Sequence, residues 1–164
     1  MRILLVGPGS NYKFGARFYY NYTRRLQNGF IRAGHFVLQF SDRDHADYAL
    51  GNRSIGRFLA KRRLRKMAHS LQPHLLCLVH ADLIDNITVQ AIKADVPGCR
   101  VAVVDFDLQS LPEPAARLRR ALEAADYGFS TTGGQVLRNV AAGRHAYFIP
   151  NLIDVTMDDQ IAYE

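Results

Sequence analysis

The sequence predicts an α/β protein, an open parallel sheet with helices on both faces in a Rossmann-like three-layer sandwich. Two observations lead to this fold class. Short runs rich in Ile, Leu and Val alternate along the chain with segments of helical periodicity. These apolar runs are nearly continuous, as expected for strands that are covered on both sides. The length of 164 residues suits one domain with a substantial core.

The first half of the chain supplies two predicted strands and two predicted helices. Ile3–Val6 is the first strand. The helix after it has an apolar stripe at helical spacing, formed by Phe18, Tyr22, Leu26, Phe30 and Ala33. Gly34 ends that helix, and Phe36–Phe40 forms the second strand. The next helix covers Ser54–Leu71, with Ser54 as its N-cap.

The second half continues the same alternation. The predicted strands are Leu75–Val79, Val101–Phe106, Tyr127–Ser130 and Tyr147–Ile149. The predicted helices are Asn86–Ala94, Pro114–Ala125 and Gly134–Ala142. Ligands of open parallel sheets bind at the carboxyl ends of the strands, so the loops that follow the strands are where a site is expected.

Charge is distributed unevenly along the chain. Residues 1–81 carry 14 Lys or Arg and 3 Asp or Glu, whereas residues 82–164 carry 7 and 12. This asymmetry favours an anionic ligand or surface near the first half. Cys77 and Cys99 lack motif spacing, and the apolar run around Cys77 predicts a buried free thiol there. A reducing cytoplasm is the expected location.

The loop after the first strand is small and polar. Gly9, Ser10, Asn11 and Tyr12 are candidates for binding an anionic or sugar-like ligand, because small residues let a ligand approach backbone amides. The segment is neither a GxGxxG fingerprint nor a phosphate-binding P-loop. A tight strand-to-helix turn without a ligand is the alternative.

Two later loops carry side chains suited to chemistry. His80 and Asp82 follow the third strand, where an imidazole can transfer a proton or bind a hydroxyl. Asp105 and Asp107 share one side of the chain while it stays extended, and they could bind sugar hydroxyls. No third residue has metal-ligand spacing, so no metal is expected. A helix-capping or packed histidine and solvated carboxylates are the alternatives.

The helix over Ser54–Leu71 is basic and contains no acidic residue. One apolar stripe predicts its core face: Ala60, Leu64, Met67, Ala68 and Leu71. Arg57, Phe58, Arg62 and Lys66 predict a surface that could dock on an anionic membrane. The alternative is a solvated helix whose first turn bends inward and buries Phe58. Nucleic acid is not expected, because the second half is acidic and no recognition motif is present.

Three features together resemble the N-terminal domain of a glycosyltransferase with the two-Rossmann B-type fold. These are the glycine loop after the first strand, the strand LLCLVHAD with His80 at its end, and the tail DYGFSTTGGQVLRNVAAGRHAYFIPNLID. The tail resembles the last strands and the PN-x-x-D-like segment that leads into the interdomain linker. The most similar groups are the group-1 transferases and the CgeB-like proteins.

The resemblance implies a division of labour between two domains. Residues 1–153 would be the domain that binds the acceptor, and 154–164 would begin the linker to an absent C-terminal domain. That second domain would hold the nucleotide-sugar donor, so no cofactor is expected in this one. The implied reaction moves a sugar to an acceptor hydroxyl, and this chain alone would be inactive.

The resemblance also implies roles for individual residues. His80 would orient or deprotonate the acceptor hydroxyl, and Gly9 and Ser10 would approach the donor phosphate or the acceptor. Asp105 and Asp107 lie where CgeB-like proteins carry acidic residues after a strand. Pro8 stands where group-1 members often have a second glycine, and their usual acidic residue soon after this loop is missing.

The predicted partners follow from these roles. They are a sugar or lipid-linked acceptor and an anionic membrane surface, which would place a cytoplasmic protein at the periphery of the inner membrane. The sequence does not fix the oligomeric state, and a homodimer is compatible with it. The alternative function is a stand-alone flavodoxin-like module for ligand binding or signalling. A phospho-acceptor subtype is disfavoured, because it would carry acidic residues where the chain has Gly-Pro-Gly-Ser.

Overall fold

The computed structural model describes residues 1–9, 21–47 and 53–158, apart from the side chains of residues 47 and 53. The strands are β1 (Arg2–Val6), β2 (Phe36–Phe40), β3 (Leu75–Val79), β4 (Arg100–Asp105), β5 (Tyr127–Ser130) and β6 (Ala146–Phe148). The helices are α1 (Tyr22–Arg32), α2 (Asp42–Asp47), α3 (Arg53–Leu71), α4 (Asn86–Asp95), α5 (Pro112–Ala121), α6 (Gly134–Ala141) and α7 (Val155–Asp158).

The six strands form one parallel sheet in the order β2-β1-β3-β4-β5-β6. Leu4 of β1 pairs with Leu38 of β2 on one side and Leu76 of β3 on the other. The order reverses between β1 and β3, as in flavodoxin-like doubly wound sheets. Because all strands are parallel, their carboxyl ends share one edge, where the sequence analysis expects a site.

Helices cover both faces of the sheet, which confirms the predicted fold class. On one face, Leu4 and Val6 of β1 pack in a core with residues of α3 to α6, such as Leu64 of α3. On the other face, Ile3 and Leu5 pack in a second core with residues of α1. Successive side chains of β1 therefore pack alternately in one core and in the other, which explains the unbroken apolar sequence of this strand.

The predicted strands agree closely with the structure, whereas several helix details need correction. Ser54 is not an N-cap, because α3 already includes Arg53. The helix predicted over Pro114–Ala125 is α5, which begins earlier and ends earlier. Short helices α2 and α7 were not predicted. Phe18 lies outside the described residues.

The segment after β6 returns to α1. The buried carboxylate of Asp154 accepts hydrogen bonds from Asn28 at 2.8 Å and from Arg32 at 3.1 Å. The bond from Arg32 is the main reason that the pKa of Asp154 lies below its ordinary value. Asp158 forms an ion pair with Arg25. Residues 154–158 thus pack against the domain, and 159–164 lie outside the described residues.

Two further sequence expectations concern the cysteines and the membrane. Cys77 and Cys99 are buried free thiols, and burial raises the pKa of Cys77 to about 12. This confirms the prediction for Cys77, and the burial of Cys99 is an additional finding. Among the helices that the structure describes, none combines the length and apolar character needed to span a bilayer.

Candidate functional site

A cleft of about 670 Å³ opens at the carboxyl ends of β3 and β4. Apolar residues of both strands line it, and α3, α4 and α5 contribute its other walls. Three of the predicted catalytic and substrate-binding residues line this cleft: His80, Asp82 and Asp105. Arg57 of the predicted membrane surface also lines it. The location agrees with the rule that ligands of parallel sheets bind at the carboxyl edge.

His80 follows β3 in a left-handed backbone conformation, with φ of 45°, which is uncommon for a residue other than glycine. Its Nε2 accepts a hydrogen bond of 3.2 Å from the amide N–H of Phe106. Its Nδ1 lies 3.8 Å from Oδ2 of Asp107. Because an accepting nitrogen carries no proton, the neutral imidazole has its proton on Nδ1. His80 therefore both holds the loop after β4 and offers an N–H donor beside Asp107.

Arg117 of α5 joins the carboxylates that follow β3 and β4. Its guanidinium binds both oxygens of Asp105 at distances between 2.9 and 3.1 Å and also binds Asp107. Its Nε lies 3.8 Å from Oδ1 of Asp82. Burial opposes the charge on Arg117, but hydrogen bonds to Asp107 and Asp105 outweigh it, so its pKa lies above the usual arginine value. The network holds three carboxylates around one guanidinium.

Asp105 and Asp107 converge for a different reason from the one that the sequence suggested. The extended strand ends at Asp105, and the amide N–H of Asp107 donates to Oδ1 of Asp105 at 2.9 Å. The chain therefore turns between them. Their carboxylates lie on one side because Arg117 binds both.

His80, Asp105 and Asp107 bring one potential metal-ligand atom each to within 4.8 Å of one another. The spacing argument missed this set, because His80 comes from the neighbouring strand. However, Arg117 already binds both carboxylates. A metal ion would have to displace that guanidinium, so these residues make a poor fit to a resident metal. The expectation of no metal here stays a prediction.

Aromatic and amide contacts connect the loops after β1, β3 and β4. Tyr22 at the start of α1 stacks on Phe106, with ring centroids 3.9 Å apart and an interplanar angle of 15°. The imidazole of His80 lies 6.0 Å from the same phenyl ring. Asn21 donates from Nδ2 to the carbonyl of Pro8 at 2.8 Å. These loops therefore meet along one rim, as the parallel sheet predicts.

The glycines after β1 are constrained by the protein itself. A Cβ on Gly7 would lie 2.6 Å from the carbonyl oxygen of Val79, so the approach of β3 explains this glycine. The amide N–H of Gly9 donates to Oγ of Ser41 at 3.1 Å. Ligand binding by Gly9 stays a prediction. Its amide N–H already donates to Ser41, so a ligand would have to replace that hydrogen bond. The other candidates of this loop, Ser10, Asn11 and Tyr12, lie outside the described residues.

The basic residues of α3 separate into different surfaces. Lys61 and Arg65 form ion pairs with Asp85 and Asp95 of the α4 region. Arg57 lines the cleft, so it does not share the outward surface predicted for it. Arg57 is exposed and stands three residues before the buried Ala60, on the side of the helix that borders the cleft.

The outward surface of α3 retains the other predicted residues. Phe58 is 64% exposed, which overturns the alternative that the first turn buries it. Arg62 and Lys66 are exposed on the same side at helical spacing, together with Ile55 and Arg63. The opposite side carries Ala60, Leu64, Met67, Ala68 and Leu71 in or against the core, as predicted.

Sequence reasoning missed several residues of the site. Arg117 and Arg120 carried no motif, although a helix that follows a strand places its first turns beside the carboxyl edge. A basic residue soon after Asp105 and Asp107 was the available signal for Arg117. Tyr22 was assigned to a core stripe, but it is 37% exposed and stacks at the rim.

No protein-family model matches this chain, and no curated protein matches it either. The glycosyltransferase resemblance therefore stays a prediction, and the proposed function is argued from the geometry of the cleft.

Proposed function

We propose that this chain is the acceptor-binding half of a glycosyltransferase that moves sugar from a nucleotide-sugar to an acceptor hydroxyl. The observation that carries the proposal is the rim beside the cleft, where His80 and Asp107 lie together under the Tyr22–Phe106 stack. Carboxylates accept hydrogen bonds from hydroxyls, an imidazole N–H donates to them, and aromatic faces pack against the apolar faces of sugar rings. A hydroxyl-rich ligand uses all three groups.

The charge at this end of the cleft favours an acceptor over the donor diphosphate. Asp82, Asp105 and Asp107 are paired with two guanidinium groups, those of Arg117 and of Arg43, which lies 3.2 Å from Asp82, and this leaves an excess of one negative charge. A phosphate placed here would be repelled by like charge. The donor is therefore assigned to the second domain, as the resemblance implies.

The hydrogen bonds of His80 favour an orienting role over proton abstraction. Nε2 is engaged by the amide N–H of Phe106, and Nδ1 carries the proton of the neutral ring. An imidazole held in this way donates a hydrogen bond to the acceptor oxygen and fixes its position. Orientation of this kind lowers the barrier without transfer of a proton.

The proposal is tested with the two-domain protein and with this chain. Full-length protein with His80→Ala should lose more than about tenfold in turnover, which corresponds to about 1.4 kcal/mol of the barrier. This chain alone should show no transfer but should bind methyl glycosides, detected as amide shifts around His80 and Phe106. Unchanged turnover in the variant would remove His80 from the mechanism, and glycosides without any effect at the rim would overturn the acceptor site.

A stand-alone flavodoxin-like module is the second candidate, and the strand order favours it. The reversal between β1 and β3 is where flavodoxin-like sheets bind their ligands. The gene distinguishes the two functions. A reading frame that continues for a second domain of about 150 residues supports the transferase, and a stop after Glu164 supports the module.

The outward surface of α3 supports docking on an anionic membrane as a partner of either function. Arg62, Arg63 and Lys66 are exposed beside Phe58, and none of the three has an ion pair within the described residues. Three basic residues contribute about 3 kcal/mol near an anionic leaflet. Vesicles rich in phosphatidylglycerol should bind the chain, whereas phosphatidylcholine vesicles should not.

Variants make the membrane test specific to α3. Arg62→Gln with Lys66→Gln should weaken vesicle binding by roughly 30-fold, from about 1 kcal/mol per residue. The matched control, Arg119→Gln with Arg138→Gln, removes the same charge from α5 and α6. Added salt should weaken binding of the unmodified chain. Equal losses in both double variants, or binding that ignores salt, would end this assignment.

A further inference from the structure

Two arginines in the cleft lack partners. Arg57 of α3 and Arg120 of α5 both line it, and neither guanidinium has a hydrogen bond or an ion pair within residues 1–9, 21–47 and 53–158. Their neighbours differ in this respect. Lys61, one turn after Arg57, pairs with Asp85, and Arg117, one turn before Arg120, pairs with Asp105. Glu113 of α5 also lines the cleft without an ion pair among the described residues, so the two unpaired guanidinium groups outnumber one unpaired carboxylate.

The two arginines reach the cleft from different helices. Arg57 is an exposed residue near the beginning of α3, and it lines the cleft from that helix. Arg120 follows Arg117 by three residues and so shares its face of α5. The N-terminus of α4 lies in the same cleft, but Asp85 already caps it by accepting from the amide of Thr88 at 2.9 Å. The arginines are therefore the anion-binding groups that remain.

Guanidinium groups bind phosphate and carboxylate groups through paired, charge-assisted hydrogen bonds. The sheet edge carries negative charge instead, because the two carboxylates of Asp105 and Asp107 outnumber the one guanidinium of Arg117 that binds them. A ligand with a hydroxyl at one end and an anionic group at the other would fit both parts. Ile87 of α4, which is 81% exposed, adds an apolar side chain to the lining of the cleft.

We propose that Arg57 and Arg120 bind a phosphate or carboxylate group of the acceptor, while the His80 end of the cleft binds its reactive hydroxyl. This inference rests on the proposed function and narrows its substrate class to anionic acceptors. It also fixes the orientation of the acceptor, because the carboxylates at the sheet edge repel the anionic group.

Inorganic phosphate is the first probe, titrated into the whole 164-residue chain at constant ionic strength and followed by amide shifts around Ile87 and Ala121. Binding should saturate. Arg57→Gln and Arg120→Gln should each weaken it about tenfold, the effect of one lost charge-assisted hydrogen bond. The matched controls are Arg119→Gln on α5 and Arg138→Gln on α6, which are exposed outside the cleft and should bind as the unmodified chain does. No saturation, or equal losses in the controls, would overturn the anion site.

Two anionic probes identify the source of the group. Glucose 1-phosphate represents a soluble sugar phosphate, and dihexanoyl phosphatidic acid represents a lipid headgroup. The probe that binds more tightly than inorganic phosphate, and loses this advantage in Arg57→Gln, names the source. If neither binds more tightly than inorganic phosphate, the site does not belong to an acceptor and the inference fails.

A neutral probe separates this inference from the proposed function. Methyl glucoside should shift amides around His80 equally in the unmodified chain, Arg57→Gln and Arg120→Gln. Glucoside binding without phosphate binding would overturn the anion site alone. Phosphate binding without glucoside binding would overturn the acceptor function and leave an anion site of another kind.

Discussion

The Nε2 atom of His80 accepts a hydrogen bond of 3.2 Å from the amide N–H of Phe106, and this contact fixes the tautomer of the imidazole. It links the ends of β3 and β4, since each residue directly follows one of these strands. The neutral ring must then carry its proton on Nδ1, which faces Asp107 at 3.8 Å. The side chain is an oriented donor at the rim of the cleft.

The first prediction concerns this tautomer. Two-bond ¹H–¹⁵N spectra recorded where the imidazole is neutral should show Nδ1 of His80 with the shift of a protonated nitrogen and Nε2 with that of an acceptor. His35, whose Nδ1 lies 3.4 Å from the N-terminal amine, serves as the internal comparison. The reverse assignment for His80 would place the proton on Nε2, leave Nδ1 as a basic nitrogen beside Asp107, and contradict the orienting role.

The second prediction concerns Arg117. Its replacement by Ala leaves the buried carboxylate of Asp105 without its ion pair, and breaking a pair in this way costs about 3 kcal/mol of unfolding free energy. Arg119→Ala, two residues away on α5 and exposed, should change stability by less than about 0.5 kcal/mol. Urea unfolding measures both.

A double variant separates lost pairing from lost packing at Arg117. Asp105→Asn combined with Arg117→Gln removes both charges, so it should be more stable than Arg117→Ala alone. If the single and double variants unfold at the same urea concentration, the ion pair does not stabilise this loop.

The sheet could be predicted from sequence because its central strands β1, β3 and β4 each contribute side chains to both cores. Ile3–Val6 and Leu75–Val79 are unbroken apolar runs, as expected for strands that helices cover on both sides, and nearly all of their residues are buried. The order of the strands fixes which loops become neighbours, so the meeting of His80 with Asp105 followed from the fold. Arg117 could not be placed with them, because its distance from Asp105 depends on how α5 packs.

Helix α2 and the ion pairs of α3 could not be predicted, because the local sequence contains no signal for either. Helix α2 is only six residues long and carries four charged side chains among Asp42–Asp47, so it has no apolar periodicity to detect. The division of the basic residues of α3 depends on Asp85 and Asp95, which belong to a later part of the chain. Pairing across elements of this kind leaves no trace in the helix itself.

The third prediction compares two glycines. Gly7→Ala would place a Cβ 2.6 Å from the carbonyl oxygen of Val79 and 2.9 Å from Oγ1 of Thr23, so the ends of β1 and β3 must separate. Overpacking of this kind costs about 2 kcal/mol. Gly29→Ala is the matched control, because its Cβ meets nothing within 4 Å in the interior of α1.

Replacement of the helical glycine should act in the opposite direction. Gly29→Ala should raise the unfolding free energy by about 0.7 kcal/mol through helix propensity. Thermal and urea unfolding of both variants check the signs. A Gly7→Ala protein as stable as the unmodified one would show that the glycine is not required by the approach of β3, and ligand access would become its explanation.

The last prediction concerns Asp42, whose side chain is fully buried at the end of β2. Its Oδ2 accepts from the amide of Leu83 at 3.5 Å, and its Oδ1 has no hydrogen-bond partner within the described chain. Burial raises the pKa of Asp42 from 3.8 to about 6, against the lowering effects of the Leu83 amide and Arg43, and the charge of Asp82 raises it further.

A raised folded-state pKa means that the folded protein holds this proton more tightly than the unfolded chain does. The stabilising contribution is therefore fully present below pH 3.8 and is lost as the pH rises through about 6. The difference between these two pKa values corresponds to roughly 3 kcal/mol. Asp42→Asn cannot ionise, so its stability relative to the unmodified protein should increase by about this amount between about pH 4 and pH 7.5.

Asp44→Asn on the same helix is the control, and its stability difference should stay nearly constant over this range. Urea unfolding across the pH range measures both, and parallel curves for Asp42→Asn and the unmodified protein would show that Asp42 is ionised at little cost in the folded state.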